Sequence, residues 1–483
     1  MNISEIKTLG DLKKINYQSK SVKREMRENL IRLTRSGEEL FEGIKGYEHS
    51  VIPQLKQAIL AEHNINFLGL RGQAKTRMAR QMIELLDEYI PFVSGSEIND
   101  DPFQPISDFA KNRINELGDK TPIDWIHRSE RFFEKLATPD VSVADLIGDV
   151  DPIKAANLKL ALSDPEVIHY GMVPRANRCL FVINELPDLQ ARIQVSLFSI
   201  LQEGEVQIRG FKLKLPLDVA FVFTANPEDY TNRGSIVTPL KDRIGSQIVT
   251  HYPKDMETAK AITAQEAKWN STINITIPGP ARDIIESIGF QARKSEYVDA
   301  KSGVSARLSI SAFEHMMSHA ELRLIENGEK AGTIRVSDIL AVVPAITGKV
   351  ELVYEGENEG PVFVAEHLIE HAIKQVFEDY FPKIEKLEKK GVETPYDNLY
   401  TWFYENDALE LHDNADEAYY HQCLDQIKPL ENLLKKYTPE VEGNLKYFFK
   451  ELVIFGLVAS QKLTKGRFEN TTTINDLYSS YFS

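Results

Sequence analysis

Residues 69 to 76 read Gly69-Leu70-Arg71-Gly72-Gln73-Ala74-Lys75-Thr76, directly after an apolar run and directly before a helical period marked by Met78, Met82, Leu85 and Leu86. A loop in that position turns successive main-chain N–H groups toward a polyphosphate; Lys75 reaches its β and γ oxygens, and the Thr76 hydroxyl ligates Mg²⁺. Ala74 stands where such loops usually carry glycine, a modest steric change if its backbone angles are helical. A second polar pair, Asn184-Glu185, closes the apolar run Cys179-Leu180-Phe181-Val182-Ile183. In a nucleotide hydrolase the first of these is normally an aspartate that helps to hold hydrated Mg²⁺, and the glutamate polarises the attacking water. Asn184 can orient a metal-bound water but brings no negative charge, so weaker Mg²⁺ binding or slower hydrolysis is expected, with Glu185 as base.

A third group depends on context. The run Val219 to Thr224 leads into Ala225-Asn226-Pro227, which puts an amide beside the γ-phosphate if its strand neighbours the one ending at Glu185. Arg243, in Pro239-Leu240-Lys241-Asp242-Arg243, and Arg307, at the start of a later helix, each offer a guanidinium. Taken singly they are surface arginines and a turn asparagine. Their order behind a phosphate loop is what gives them meaning.

The elements that must position these groups follow from hydrophobic periodicity. From residue 65, short apolar runs alternate with helical periods, the pattern of a parallel sheet covered on both faces. Strands are expected at 65–69, 90–94, 179–184, 218–224 and 246–250. The long interval between the second and third reads as an insertion with helices over 105–117 and 122–136. The alternation from Val206 to Leu215 predicts a hairpin turning at Gly210. Ahead of the sheet, Val22, Met26, Leu30 and Leu33 share one helical stripe. After residue 253 helical periods dominate, interrupted by the acidic break 355–361, and Leu368, Ala372, Val376 and Tyr380 mark a long helix ending near Pro382. The expected organisation is a helical lead-in (1–38), an α/β nucleotide-binding domain (39–255), a helical lid (256–350) and a mostly helical C-terminal extension (351–483).

Composition narrows the function classes. The 483 residues are 42% hydrophobic and 27% charged, which argues against wholesale disorder or a fibrous repeat. With 57 Lys and Arg against 72 Asp and Glu, the net charge is -15, so a broad nucleic-acid surface is not expected. The opening residues lack the pattern of a secretory signal, and no run approaches the roughly 20 apolar residues needed to cross a bilayer. A cytoplasmic protein without a membrane partner is expected. Cys179 and Cys423 have no ligand-spaced companions, so neither a disulfide framework nor a cysteine-based zinc site is expected. His412, His421 and Cys423 are spaced irregularly for a metal, and Trp402-Phe403-Tyr404 reads as packing for the last segment or a partner surface.

From about residue 38 to 350 the sequence resembles the AAA+ ATPases of the MoxR and magnesium-chelatase branch, including bacterial chelatase-like proteins labelled with a sigma-54 interaction domain. The resemblance rests on Gly-Leu-Arg-Gly-Gln-Ala-Lys-Thr at 69–76, where alanine before the lysine is a variant of this branch. It also rests on Ile-Asn-Glu-Leu-Pro-Asp-Leu at 183–189, Gln-Ile-Arg-Gly at 207–210, Thr-Ala-Asn-Pro-Glu-Asp-Tyr-Thr-Asn-Arg-Gly at 224–234 and Thr-Pro-Leu-Lys-Asp-Arg at 238–243. It implies a five-stranded parallel P-loop sheet followed by a helical lid, with ATP and Mg²⁺ as ligands. Lys75 and Thr76 would be the Walker A pair, Glu185 the Walker B glutamate, Asn226 the first sensor, Arg243 an arginine finger acting on a neighbouring subunit, and Arg307 the second sensor. The hairpin at 205–215 and the stretch from Asp145 to Arg178 would match the insertions of the branch.

The implied activity is that of a hexameric, ring-forming ATPase that remodels or activates a partner containing a von Willebrand factor A domain. Three alternatives compete: a nucleotide-gated binding module with little hydrolysis, a sigma-54-type transcriptional activator, and a magnesium chelatase ATPase subunit. The activator reading lacks both the Gly-Ala-Phe-Thr-Gly-Ala loop and a helix-turn-helix.

Overall fold

Five short strands form one parallel sheet: β1 (Ile65–Leu68), β2 (Phe132–Leu136), β3 (Cys179–Asn184), β4 (Val219–Ala225) and β5 (Ser246–Val249), in the spatial order β5-β1-β4-β3-β2. The computed structural model describes residues 3–161, 164, 167–203, 205–208, 214–227, 235–384, 394–406, 408–468 and 471–477. Side chains alternate between the two faces of the sheet, and both faces are apolar. Phe181, Ile183, Phe221 and Phe223 enter one core, whereas Leu180, Val182, Ala220 and Val222 join Ile65, Phe67 and Ile248 in the other. Burial on both sides is why β3 and β4 read as unbroken apolar runs.

Two of the expected elements are corrected. Residues 90–94 do not join this sheet; Tyr89–Val93 pairs antiparallel with Ile123–His127 in a separate ribbon. The second strand of the parallel sheet is instead Phe132–Leu136, within a stretch expected to be helical. The reason is the period: Phe133 packs on the core that holds Phe181, its ring stacked 6.2 Å away, while Phe132 packs on the opposite core. Adjacent aromatics that must reach opposite cores require the two-residue period of a strand. The expected helix over 105–117 forms as Asp108–Leu117, capped by Ser107, whose hydroxyl accepts the Ala110 N–H at 3.1 Å.

The hairpin strands Glu205–Gln207 and Lys214–Pro216 pair antiparallel, while the expected turn at Gly210 lies outside the described residues. Between β2 and β3, Gly148–Val150 and Ile168–Tyr170 form a second small ribbon. Helix α1 (Val22–Ser36) buries the expected stripe of Val22, Met26, Leu30 and Leu33 in a core shared with the sheet. Helix α2 (Lys75–Gln81) follows the loop after β1, and α3 (Ala191–Glu203) packs on α4 (Thr238–Arg243).

The chain divides into two compact units, Met1–His251 and Tyr252–Ser483. In the second, α5 (Gly279–Ala292), α6 (Arg307–Glu326), α7 (Pro361–Tyr380) and α8 (Leu445–Ala459) share one core that extends from Ala281 to Ile474. Strands Leu409–His412, Thr471–Asp476 and Leu463–Phe468 add a small antiparallel sheet. Phe403 is buried in this core, Trp402 packs against it and Tyr404 is exposed. His412 binds the Thr471 hydroxyl, and His421 stacks on Tyr447, so both histidines are engaged locally. Among the described residues no group of three or more His, Cys, Asp and Glu is placed to hold a metal, and no helix is long and apolar enough to cross a membrane.

Two polar contacts fasten α1 to the sheet. Glu25, buried on α1, accepts two hydrogen bonds of 2.7 Å from the Arg131 guanidinium, which also donates to the Arg178 carbonyl. Both side chains are almost wholly buried. Removing one partner of such a pair leaves an uncompensated charge inside the protein, at a cost of about 3–5 kcal/mol. Arg131→Met is therefore expected to lower the unfolding free energy by about that amount in urea titrations. Adding Glu25→Leu should recover most of the loss.

At the other end of the contact, the Val22 N–H donates to Asp218 Oδ2 at 2.7 Å. Burial pushes the Asp218 carboxyl from 3.8 up to about 6, against the opposing pull of that N–H and of Arg178. The folded protein then holds a proton that the unfolded chain releases. The contribution of Asp218 to stability consequently falls as pH rises from about 4 through 6 and levels off above. Across that window the stability of Asp218→Asn should rise progressively relative to that of the parent protein in urea titrations, and a constant difference would refute the assignment.

Candidate functional site

The register of the sheet decides which strand ends meet. Leu68 of β1 lies opposite Ala225 of β4, and Ile183 of β3 lies opposite Phe223, so Gly69, Asn226 and the pair Asn184-Glu185 all leave the sheet along one edge. Because β1 lies inside the sheet, with β5 on one side and β4 on the other, the chain's connections part around the loop that follows it. Open α/β sheets bind ligands at such a point.

The loop from Gly69 to Ala74 is shaped by backbone conformation. Gly72 has φ +70°, and a side chain on Gly69 would collide with Thr250 and Gln73. Ala74 has φ +56° and ψ +15°, a left-handed conformation, so the condition under which alanine would be harmless is not met. An L-residue there carries about 1–2 kcal/mol of strain that glycine would not. The loop is braced from outside. The Gly69 N–H donates to the Ala225 carbonyl at 3.1 Å, and the Thr250 hydroxyl donates to Gln73 Oε1 at 2.6 Å. The Tyr47 hydroxyl lies 3.1 Å from the Gln73 carbonyl and 2.7 Å from that of His251. Arg71 is exposed on the loop.

Lys75 opens α2, and its ammonium donates to the carbonyls of Gly69 and Leu70, the latter at 2.9 Å, and to Asn226 Oδ1 at 2.7 Å. The expected first-sensor amide and the loop lysine are thus in direct contact, from positions 151 residues apart. At the next residue, the Thr76 hydroxyl donates to Asn184 Oδ1 at 3.3 Å, and the Thr224 hydroxyl donates to the same oxygen at 3.1 Å. Thr224 also accepts the Glu185 N–H at 3.1 Å. Glu185 itself has φ +56° and ψ +47° at the end of β3. Non-glycine residues held in this region collect at functional sites, where the surrounding structure sustains the strain.

Asn184 makes one contact that its neighbours in sequence do not disclose. Its Nδ2 donates to Glu134 Oε1 on β2 at 2.7 Å, and Glu134 receives Arg80 of α2 through Nε at 2.8 Å and a terminal nitrogen at 3.1 Å. Glu134 raises the affinity of the Arg80 guanidinium for its proton. Glu134, Thr224 and Arg80 are additions to the expected site. Glu134 was hidden because its strand has the residue composition of a helix; the clue was the pair Phe132-Phe133, which needs partners on both faces.

The donors gathered around Thr76 are all oxygens: two hydroxyls, an amide carbonyl and a carboxylate one hydrogen bond away. Hard oxygen donors with a carboxylate close by suit Mg²⁺ held together with phosphate. The adjacent ammonium and turned main chain suit the phosphate itself. The residues present therefore fit Mg-ATP.

The remaining expected residues lie outside this cluster. Arg243 ends α4, partly exposed, in contact with Asp242 and with its guanidinium 5.2 Å from the centre of the Phe198 ring on α3. Arg307 is exposed at the first position of α6, in the second unit. Residues 228–234, which carry part of the resemblance, lie outside the described residues.

No family model matches the chain, and no curated protein does. Among solved structures it is similar to the BchI and BchD complex of magnesium chelatase, at 18% identity over 66% of this chain and 98% of the other, with a TM-score of 0.35. It is also similar to NtrX of Brucella abortus, at 14% identity over 59% of this chain and 54% of NtrX, with a TM-score of 0.35. For Hsp104 bound to ATPγS and casein the identity is 12% over 64% of this chain and 50% of Hsp104, with a TM-score of 0.36. The chain thus spans about half the length of NtrX and of Hsp104. Its α/β P-loop fold rests on its own strand order and on the loop that follows β1.

The left-handed alanine yields a direct test. Ala74→Gly removes the steric conflict but loosens the unfolded chain, so its thermal midpoint should equal or exceed that of the parent. Ala74→Val puts a β-branched side chain at φ +56° and should cost at least about 1 kcal/mol. Equal midpoints for the valine variant and the parent would mean that the loop adopts another conformation in solution.

Proposed function

We propose that this chain binds Mg-ATP in the loop 69–76 and hydrolyses it, as a ring-forming AAA+ ATPase that remodels or activates a partner protein. The observation that carries the reading is the convergence of three strand ends: Lys75 on Asn226, Thr76 on Asn184, and Glu185 on Thr224. When bound, Mg-ATP supplies the transferable phosphoryl group and a divalent charge to polarise it. The chain's own groups do the rest. Main-chain N–H groups of the loop and Lys75 neutralise the phosphate oxygens, and Thr76 orients the metal side. Glu185 accepts the proton of the attacking water, and Asn226 aligns that water against the terminal phosphate.

The strand order 5-1-4-3-2 supports the AAA+ assignment, because it places the first-sensor strand between those of the two Walker motifs. In this reading residues 39–255 form the nucleotide domain, 256–350 the lid carrying Arg307 as second sensor, and 351–483 an extension. Arg243 acts on the nucleotide of an adjoining copy in a hexameric ring. Partial exposure at a helix end suits a group meant for a neighbour. Such a finger is worth on the order of 10³–10⁵ in rate, so isolated subunits would be poor catalysts. The chain acts in the cytoplasm on a client that contains a von Willebrand factor A domain, as in the MoxR and chelatase branch. One observation favours a second reading, a nucleotide-gated module with little turnover: Asn184 brings no charge of its own.

In purified protein, Lys75→Ala should abolish binding of a fluorescent ATP analogue. Glu185→Gln should keep binding while lowering turnover by about 10²-fold or more. Arg243→Ala should lose turnover without losing nucleotide affinity. Unchanged hydrolysis in the lysine and glutamate variants would refute the site. Sustained turnover by the parent would exclude the binding-module reading.

A further inference from the structure

From the contacts of Asn184 we infer that Glu134 is the charged half of a split metal-positioning group, and that the pair Glu134–Asn184 performs across two strands what a single aspartate would do at position 184. The inference rests on the nucleotide-binding reading above.

The geometry is a chain of hydrogen bonds with a fixed direction. Thr76 Oγ1 and Thr224 Oγ1 both donate to Asn184 Oδ1, at 3.3 and 3.1 Å, which assigns that oxygen to the side facing the phosphate loop. The amide nitrogen then points the other way, to Glu134 Oε1 at 2.7 Å. A carboxylate accepting from the nitrogen locks the amide against rotation by half a turn. It also polarises the amide, so that the carbonyl oxygen facing Thr76 becomes a better acceptor for water on a cation. Asn184 supplies an oxygen at the right place, and Glu134 supplies the missing negative charge one hydrogen bond behind it. Asn184 is buried and the Glu134 side chain is only 23% exposed, so solvent screens this charge less than it would one at the surface.

Arg80 sets the strength of the effect. It lies on α2, one turn beyond Thr76, and holds both Glu134 oxygens. Its guanidinium offsets part of the carboxylate charge, and it is 63% exposed, free to give way when a cation draws Glu134 more strongly. Arg80 and Glu134 therefore have opposite signs of influence on a divalent ion, although they are partners in one ion pair. A purely structural brace between α2 and β2 would give them the same sign.

The test measures binding of a fluorescent ATP analogue to the full chain across a Mg²⁺ titration and in excess EDTA. Outer partners that orient metal-binding groups typically contribute 10–100-fold in metal affinity. Glu134→Gln should thus raise the Mg²⁺ concentration for half-maximal binding by about tenfold or more, with affinity in EDTA unchanged. Moving the carboxylate in the double variant Glu134→Gln/Asn184→Asp should restore the midpoint to within about twofold. Arg80→Gln should leave the midpoint where it is or lower it.

An unmoved midpoint in Glu134→Gln overturns the inference while leaving the nucleotide site intact. So does an Arg80→Gln variant whose midpoint rises with that of Glu134→Gln. If Glu134→Gln melts early, Arg80→Gln carries the test alone, and a midpoint that rises in that variant is equally fatal. Failure of the parent to bind the analogue with or without Mg²⁺ would instead sink the underlying reading.

Discussion

Parallel register around β1 is the constraint on which the rest of this structure depends. With Leu68 opposite Ala225 and Ile183 opposite Phe223, three segments far apart in sequence end at one edge of the sheet. A slip by one residue would turn every side chain of a strand to the other face. Both faces are apolar here, so such a slip is resisted less by polarity than by shape, through the fit of Phe181, Phe221 and Phe223 in one core and Phe67, Leu180 and Val182 in the other. The site is thus held by packing that itself has no chemistry.

Strain gathers at that edge. Ala74 and Glu185 both adopt left-handed backbone conformations, the first just before α2 begins and the second just after β3 ends. The first turns the loop into α2 so that Lys75 faces back over the loop carbonyls. The second turns the chain sharply after β3, with its N–H tied to Thr224. Neither conformation is intrinsically preferred by its residue; the bracing contacts of Tyr47, Thr250 and Thr224 hold the surrounding chain in place.

Charge is handled in the same distributed way. The strand that ends at Asn184 carries no aspartate, but its neighbour presents Glu134, and the neighbouring helix presents Arg80. A polar site assembled from several strands can shift a charge sideways by one strand spacing and keep its field near the same point. Further from the site, the buried pair Glu25–Arg131 fastens α1 to the entrance of β2, the strand that carries Glu134.

Local chemistry was legible in the sequence. The loop 69–76, the apolar strands β1, β3 and β4, the stripe on α1 and the long helix α7 all follow from residue type and period, because each is decided by contacts within a few residues or by burial on a whole face. The second strand of the sheet was not legible. Phe132–Leu136 has no alternation of polar and apolar residues, and only the presence of an aromatic core on each side makes a strand of it. The partnership of Asn184 with Glu134 escaped for the same reason: it joins residues 50 apart through a pairing that exists only once β2 lies beside β3. Sequence alone determined which polar and charged groups this protein brings to the candidate site. Tertiary structure decided which of them meet, because strand neighbours are selected by the packing of both faces of the sheet and not by anything a single strand contains.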